Sequence, residues 1–340
     1  MVTKIGLDLG YANITVSDMT AGIYREQSVA LIDRDSRRII SVGNAAIEGS
    51  EQLGEKAMLV RPFKNGLLFD RQITESVVKQ VVGSIAKNER VRCVIGIPSG
   101  LVSKQEKEIF SILDDAGVSD CYALNRAVAA LIGAGGSPLQ SVISVNVGAS
   151  YTEIAVMNNG QVIYAHGEAV GGEDFDRAVK QYISDRGGVN ISLSVARSIK
   201  EQLGSVWHGK EEENVDIEGT LALTGNKVRM TISSEDIVGV FEQPLHKLLM
   251  AVAEAIKNIP LDSVEKTFKN GIVLTGGGAM IHGMDLMMGK ILGISVRQPV
   301  DPINSVARGL SIINNKIPVK GRSSKKNITD SVATYFKDSK

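Results

Sequence analysis

The sequence predicts an α/β protein made of two similar lobes. Residues 4–16 and residues 142–157 share one outline, in which an apolar strand is followed by a turn of small or polar residues and a second strand. A third turn, LTGGGAM at residues 274–280, follows another apolar strand and precedes a helical pattern. Short strands alternate with helical patterns in both halves of the chain, which is typical of an α/β domain.

The three turns also indicate a ligand. Turns built from glycine and other small residues let backbone N–H groups approach an anion, and a helix N-terminus adds a partial positive charge. One such turn is weak evidence, because most of them only connect two elements. Three in one chain, two of them with matching outlines, predict a nucleotide held between the two lobes.

The composition is that of a soluble globular protein. Of 340 residues, 43% are hydrophobic and 22% charged, which fits two domains of ordinary size. Lysine plus arginine equals aspartate plus glutamate at 38 each, so the charge gives no reason to expect nucleic acid as a partner. Cys93 and Cys121 lie in apolar surroundings, and we expect buried thiols in a reducing cytosol. The sequence shows neither a signal peptide nor a run of about 20 apolar residues, so we expect a cytoplasmic protein.

Periodicity predicts the elements of the first half in order. Apolar residues at helical spacing predict a helix over 73–86, and a nearly continuous apolar run predicts a buried central strand over 91–98. Ser103 and Glu106 form a candidate capping box that opens the next helix. The remaining elements are a strand over 121–124 and a helix of small residues over 127–133.

The second half repeats this order. Glu173 and Asp174 suit the start of a helix, because acidic side chains complement the helix dipole. A serine at 233 or 234 is predicted to cap one helix that runs to about residue 258. The other predicted elements are a helix over 192–203, a hairpin over 215–223 and 228–232, a helix whose buried stripe is Met284, Met287 and Met288, and a strand over 294–296.

These patterns divide the chain into two lobes and a tail. We predict a first lobe over 1–140 and a second lobe over 141–313.

The predicted tail, 314–340, is basic and carries an apolar stripe at Ile328, Val332, Tyr335 and Phe336. One interpretation is a solvated, frayed end. The other is an amphipathic helix that lies on an anionic membrane or docks on a partner.

Seven motifs carry a resemblance to a known family over nearly the whole chain, up to about residue 313. The chain resembles the actin superfamily, and most closely the bacterial MreB family. The motifs occur in the family's order and at its spacing: IGLDLGYAN at 5–13, RPFKNG at 61–66, VIGIPSG at 94–100, VGASYTEIAV at 147–156, VGGEDFD at 170–176, IKEQLGS at 199–205 and GIVLTGGGAM at 271–280.

The resemblance implies an actin-like fold with ATP or ADP and Mg²⁺ in the cleft, and filaments that lie along the inner face of the membrane. It also implies a small subdomain in each lobe, at about 20–65 and about 187–235, and a second lobe whose last part returns toward the first. By position, Asp8 is the expected holder of the metal's water shell, and Lys200 and Glu201 face ribose and base. From the residues alone, these last two are a solvated helix face. The remaining implied nucleotide-binding residues are Gly10, Tyr11, Ala12, Asn13, Gly148, Ala149, Ser150, Gly172, Gly276, Gly277, Gly278 and Met280.

Three positions depart from the family's pattern. The acidic residue that orients the attacking water lies in a Glu-Glu-Pro stretch in the family, and here that stretch is Asn125, Arg126 and Ala127. The aspartate of the second hairpin is Asn146, whose amide brings no charge to Mg²⁺. A threonine beside the terminal phosphate is replaced by the bulkier Tyr151.

The departures predict a degenerate ATPase, because hydrolysis depends on positioning the water and compensating charge. Arg126 either pairs with the terminal phosphate or fills the cleft without nucleotide. Three alternatives stay open: an active ATPase with relocated catalytic groups, a non-polymerising regulator that joins an MreB paralogue, and, remotely, a sugar kinase. The four histidines are scattered through the sequence, so no structural metal site is expected.

Overall fold

In the computed structural model, residues 2–64, 66–86, 89–209, 211–318 and 324–337 are described. The motif residue Asn65, and Lys320 and Arg322 of the predicted basic tail, lie outside these ranges. The first half contains, in chain order, β1 (Val2–Leu9), β2 (Asn13–Asp18), β3 (Gly22–Gln27), β4 (Ala30–Asp33), β5 (Ile39–Val42), α1 (Asn44–Leu53), β6 (Ala57–Val60), β7 (Phe63–Lys64), β8 (Leu67–Leu68), α2 (Arg71–Ala86), β9 (Arg90–Ile97), α3 (Ser103–Asp115), β10 (Val118–Asn125) and α4 (Arg126–Gly133).

The second half contains a matching series and then the end of the chain. Its elements are β11 (Val142–Val147), β12 (Thr152–Asn158), β13 (Gln161–Glu168), α5 (Gly172–Gly187), β14 (Val189–Asn190), α6 (Leu193–Leu203), β15 (Asn214–Leu221), β16 (Lys227–Ser233), α7 (Ser234–Ile237), α8 (Glu242–Lys257), α9 (Val264–Asn270), β17 (Ile272–Thr275), α10 (Met284–Leu292), β18 (Val296–Arg297), α11 (Ser305–Lys316), β19 (Lys325–Asn327) and α12 (Thr334–Lys337).

The two main sheets share one topology, which confirms the predicted fold of two similar lobes. The first has the order β19-β10-β9-β1-β2-β3 and the second the order β13-β12-β11-β17-β18. In each, the first strand pairs antiparallel with its hairpin partner and parallel with the strand that follows the helical crossover. Two smaller sheets, β5-β4-β6 and β14-β15-β16, lie within the segments predicted as small subdomains.

Helices α4 and α11 pack against each other between the two main sheets. A Cβ on Gly133 of α4 would overlap the carbonyl oxygen of Ser305, and a Cβ on Gly309 of α11 would overlap that of Ala129. Only glycine at these two positions lets the helix backbones come so close. This contact fixes α4, and therefore fixes Arg126 at the first position of that helix.

Most predicted elements are present. The predicted burial of the two thiols is confirmed, and the predicted methionine stripe is buried at two of its three residues, since Met287 is only partly buried. Cys93 and Cys121 are buried free thiols, while Met284 and Met288 are fully buried. Periodicity located the helices because each buries one apolar face, and continuous apolar runs located β9 and β11, which are buried on both faces.

One prediction about a helix start is wrong, and two other helix predictions are partly right. Ser103 does not cap α3, because the cap residue is Val102 and makes no side-chain hydrogen bond. Ser233 caps a helix as predicted, since its hydroxyl accepts the N–H of Asp236. The single helix predicted up to residue 258 is, however, two helices, α7 and α8, separated by a turn in which Gly239 has a φ of +84°. After the third glycine turn comes one 3₁₀ turn, Gly277–Met280, before α10.

The expectation for the tail is corrected, because its described part packs on the body of the protein. β19 adds a parallel sixth strand to β10, with the N–H of Ile328 donating to the carbonyl of Ala123 at 2.8 Å. Ile328 and Val332 are fully buried in a cluster that includes Val142 of the second lobe. The apolar stripe therefore faces protein instead of forming an amphipathic helix open to a membrane. None of the helices in the described ranges is both long and apolar enough to cross a bilayer.

Candidate functional site

A cavity of about 600 Å³ lies between the two main sheets. This volume is in the range of pockets that hold small molecules and cofactors. Every residue that the sequence predicted for the nucleotide site lines it, and so do all three departures from the family's pattern: Asp8, Gly10, Tyr11, Ala12, Asn13, Arg126, Asn146, Gly148, Ala149, Ser150, Tyr151, Gly172, Lys200, Glu201, Gly276, Gly277, Gly278 and Met280. Their contact with nucleotide stays a prediction.

The two hairpin turns enter the cavity with the same geometry. The N–H of Gly10 donates to the carbonyl of Asn13, and the N–H of Gly148 donates to that of Tyr151, both at 3.0 Å. A Cβ on Gly10 or Gly148 would come within 2.7 or 2.8 Å of the same carbonyl oxygens, so each turn requires glycine. The N–H groups at the tips of both turns take no part in these closing hydrogen bonds, and they are therefore suited to bind an anion.

Ser150, at the tip of the second turn, has an unusual side chain. Its hydroxyl oxygen is buried and has no hydrogen-bond partner within the described part of the chain. A buried hydroxyl without a partner carries a free-energy cost that a bound ligand atom would remove.

The third turn brings backbone against the second hairpin. Gly276 has a φ of +83° and donates its N–H to the carbonyl of Pro302 at 2.9 Å. Side chains on Gly276 or Gly278 would overlap Val147, whereas a Cβ on Gly277 meets no protein atom within 4 Å. Two of the three glycines are therefore required by packing, and Gly277 leaves space open.

Arg126 pairs with two acidic side chains at the bottom of the cavity. Its Nε lies 3.2 Å from Oδ1 of Asp8, its Nη1 lies 3.9 Å from Oε1 of Glu153, and its Nη2 donates to the carbonyl of Leu9. These two contacts are ion pairs: within the described part of the chain, Oδ1 of Asp8, Nε of Arg126 and Oε1 of Glu153 are buried and have no hydrogen-bond partner. The other carboxylate oxygen of Glu153 accepts the N–H of Ser99 at 2.9 Å.

Burial controls the protonation of these carboxyl groups. It raises the pKa of Glu153 to about 7, although the Arg126 charge and the Ser99 hydrogen bond act in the opposite direction. Burial likewise raises the pKa of Asp8, again against the charge of Arg126. The loss of hydration outweighs the ion pair at both carboxyl groups.

Asn146 and Tyr151 occupy the second-lobe side. The amide oxygen of Asn146 accepts the hydroxyl of Thr275 at 3.2 Å, so the amide is held by its own sheet. The ring of Tyr151 lies where a side chain on Gly66 or Gly167 would overlap it. Gly66 belongs to the first lobe and Gly167 to the second, so this ring lies in contact with both lobes.

Helix α6 contributes two cationic side chains to the lining of the cavity. Lys200 Nζ lies 2.6 Å from Oδ1 of Asp176 and donates to the carbonyl of Gly172 at 3.1 Å, while Arg197 Nε lies 3.1 Å from Oδ2 of the same carboxylate. Two cations therefore share one buried carboxylate. Glu201 is exposed at the rim of the cavity.

Sequence reasoning misses several charged residues of the cavity as site residues. Glu153 carries a signal that was available: it is an acidic residue inside the otherwise apolar strand TEIAVM, where a solvated position is not expected. The full set is Arg25, Glu153, Glu173, Asp176 and Arg197. The residues that the structure describes contain no group of three or more His, Cys, Asp or Glu that could hold a metal ion.

Comparison with known proteins gives a consistent result. A model of the family described as "MreB/Mbl protein" matches residues 2–321. The cell shape-determining protein Mbl of Bacillus cereus is 27% identical over 319 residues, covering 92% of this chain and 96% of that protein. The cell shape-determining protein MreB of Escherichia coli K12 is 28% identical over 316 residues, covering 90% and 91%.

Solved structures show the same fold. MreB5 of Spiroplasma citri bound to ADP has a TM-score of 0.87 at 24% identity, covering 93% of this chain and 97% of that one. The MamK double helical filament has a TM-score of 0.80 at 20% identity, covering 94% and 100%.

Proposed function

The chain belongs to the MreB/Mbl family, and from this we propose that it is a cytoskeletal protein that forms or joins actin-like filaments in bacterial cell organisation. The observation that carries the proposal is the family match over almost the whole chain, together with the actin-like pair of sheets. The relatives named above are cell shape-determining proteins, and the MamK structure is a filament, which supports the same class of function here.

Adenine nucleotide is the ligand that the cavity fits. The two hairpin turns and the Gly276–Gly278 turn offer a backbone cradle that a Cβ would fill, and the unpaired Ser150 hydroxyl lies in it. Structures of S. citri MreB5 with ADP and with AMPPNP support the choice of nucleotide. Lys200 and Glu201 would hold ribose and base.

Hydrolysis is proposed to be weak or absent. Arg126 stands at the position expected for the water-orienting carboxylate and is fixed by Asp8, Glu153 and Leu9. A cation in this place cannot accept a proton or a hydrogen bond from the attacking water.

Sedimentation and electron microscopy test the proposal. Purified protein with adenine nucleotide should pellet at high speed and show filaments in negative stain. Failure to pellet alone, combined with recovery in the pellet when a catalytically intact MreB is added, would instead support a regulator that copolymerises. The ion pairs that fix Arg126 favour this second candidate, because a regulator would copolymerise without hydrolysing ATP itself.

Membrane contact through residues 315–340 is not part of the proposal. The two fully buried residues of the stripe, Ile328 and Val332, would have to leave the body of the protein before they could reach lipid. A liposome pelleting experiment on the full chain tests any other contact with anionic membrane.

A further inference from the structure

The Mg²⁺ that the family implies does not fit the residues of this cleft. Asp8 is engaged by Arg126, with Oδ1 and Nε 3.2 Å apart. Asn146 replaces the second carboxylate, and its amide oxygen already accepts the Thr275 hydroxyl at 3.2 Å. Mg²⁺ prefers anionic oxygen ligands and bound water in an octahedral shell, and a guanidinium beside Asp8 opposes a second cation there.

We propose that Arg126 supplies the positive charge that a divalent cation supplies in a metal-dependent site, so that adenine nucleotide binds this cleft without metal. The inference rests on the nucleotide binding proposed above and specifies the form of the ligand: the free polyphosphate anion. Arginine is suited to this role, because its charge is permanent and its planar donors match phosphate oxygens.

The surroundings of Arg126 hold it in place for such a role. Its side chain is 10% exposed and is among those that line the cavity, and a Cβ on Gly96 would come within 3.1 Å of its Cγ. Glu153 is in turn held by the N–H of Ser99, which fixes the partner as well as the arginine. A cation held by its neighbours before the ligand arrives loses little conformational entropy on binding.

Three other cations, Arg25, Arg197 and Lys200, line the cavity beside five carboxyl groups, those of Asp8, Glu153, Glu173, Asp176 and Glu201. Lys200 and Arg197 share the single carboxylate of Asp176, at 2.6 and 3.1 Å. Arg25 also lines the cavity and donates to the neutral amide of Asn304. The backbone turns around Gly10 and Gly148 add N–H donors for the phosphate oxygens.

The test compares nucleotide binding with and without metal in the wild-type protein. A fluorescent ATP analogue labelled on the ribose is titrated in excess EDTA and in excess Mg²⁺. The two dissociation constants are expected to agree within about threefold, which is less than 1 kcal/mol. A loss of about tenfold or more in EDTA overturns the inference and leaves the proposed nucleotide binding intact.

Variants locate the effect at residue 126. Arg126→Ala should weaken binding in EDTA by about tenfold or more, with partial recovery in Mg²⁺, because a charge-assisted contact to phosphate is lost. Equal binding by this variant and wild type in EDTA overturns the inference. Arg126→Lys, which keeps the charge, is the matched control and should retain most metal-free binding. If Arg126→Ala does not fold, the wild-type comparison and Arg126→Lys decide.

A variant in which both carboxylates are restored is expected to bind nucleotide only with metal. Arg126→Glu with Asn146→Asp restores both carboxylates, and its nucleotide binding should require Mg²⁺. Metal-independent binding by this variant counts against Arg126 as the replacement cation. If wild type binds no nucleotide under either condition, both this inference and the proposed nucleotide binding fail, whereas the filament proposal is judged separately by sedimentation.

Discussion

Arg126 and Asp8 form an ion pair at the bottom of the cleft, with 3.2 Å between Nε and Oδ1. The two residues are on different elements, α4 and β1, and are brought together by the packing of α4 on α11. The side chains of this pair are only 10% and 21% exposed, so solvent screens their charges weakly. Asp8, the residue expected to hold the water shell of the metal, is therefore paired with Arg126, which replaces the expected catalytic carboxylate.

The first prediction concerns hydrolysis. The wild-type chain should release phosphate from ATP about 100-fold or more slowly than a catalytically intact MreB, because Arg126 stands where the water-orienting carboxylate is expected. Arg126→Glu with Asn146→Asp should raise the rate, measured as phosphate release in Mg²⁺. Asn146→Asp alone is the matched control and should gain little, since Arg126 stays paired with Asp8. A wild-type rate equal to that of an intact MreB contradicts the prediction.

The second prediction separates binding from folding in the third glycine turn. Gly277→Val should abolish thermal stabilisation by ATP without lowering the melting temperature of the free protein, because its Cβ meets no protein atom within 4 Å but takes up cavity space. Gly278→Val is the contrasting variant, since a Cβ there would overlap Val147. It should lower the melting temperature whether or not nucleotide is added. Normal ATP stabilisation of Gly277→Val would show that the ligand does not approach this turn.

How much of this site can be predicted from the sequence depends on whether a contact joins residues that are close together or far apart along the chain. The turns at Gly10 and Gly148 are local features, so their spacing and residue types were enough to place them at one cavity. The contact of Arg126 with Asp8 depends on the approach of α4 to α11 through Gly133 and Gly309, and no local pattern encodes it.

The end of the chain shows another limit of prediction from the sequence. β19 consists of the polar residues Lys325–Asn327 and pairs through its backbone with β10. Backbone pairing at a sheet edge requires no hydrophobic periodicity in the sequence. Periodicity therefore predicted an apolar stripe that does not pack on the protein, whereas the structure has an edge strand followed by a buried apolar segment.

The third prediction follows from the raised pKa of Glu153, about 7 against an ordinary value of 4.5. Between these pH values the folded protein keeps a proton that the unfolded chain has lost. The free energy of unfolding therefore falls as the pH rises from about 4.5 to about 7, and this contribution is constant above that range. Glu153→Gln removes the titration, so its stability should fall less steeply than wild type over the same interval. Urea unfolding at a series of pH values measures both slopes, and parallel curves for the two proteins would refute the assignment.

The last prediction concerns the segment that follows β19. Ile328 is fully buried in the cluster between the lobes, its N–H donates to Ala123, and the next residue, Thr329, accepts the N–H of Asn125 at 3.0 Å. Asn125 in turn caps α4 through Ala127 and Val128, directly beside Arg126. Ile328→Ala should lower the free energy of unfolding by about 2–5 kcal/mol, the usual cost of removing a buried isoleucine side chain.

Lys326→Ala, on the exposed face of β19, is the matched control and should change stability by less than about 0.5 kcal/mol. Chemical unfolding of the three proteins measures the difference. Deletion of residues 324–340 should destabilise at least as much as Ile328→Ala, because it also exposes the edge of β10 and removes Val332 from the core. An unchanged unfolding midpoint after the deletion would show that this segment does not hold the two lobes together, and the apolar stripe would again be free to reach a membrane or a partner.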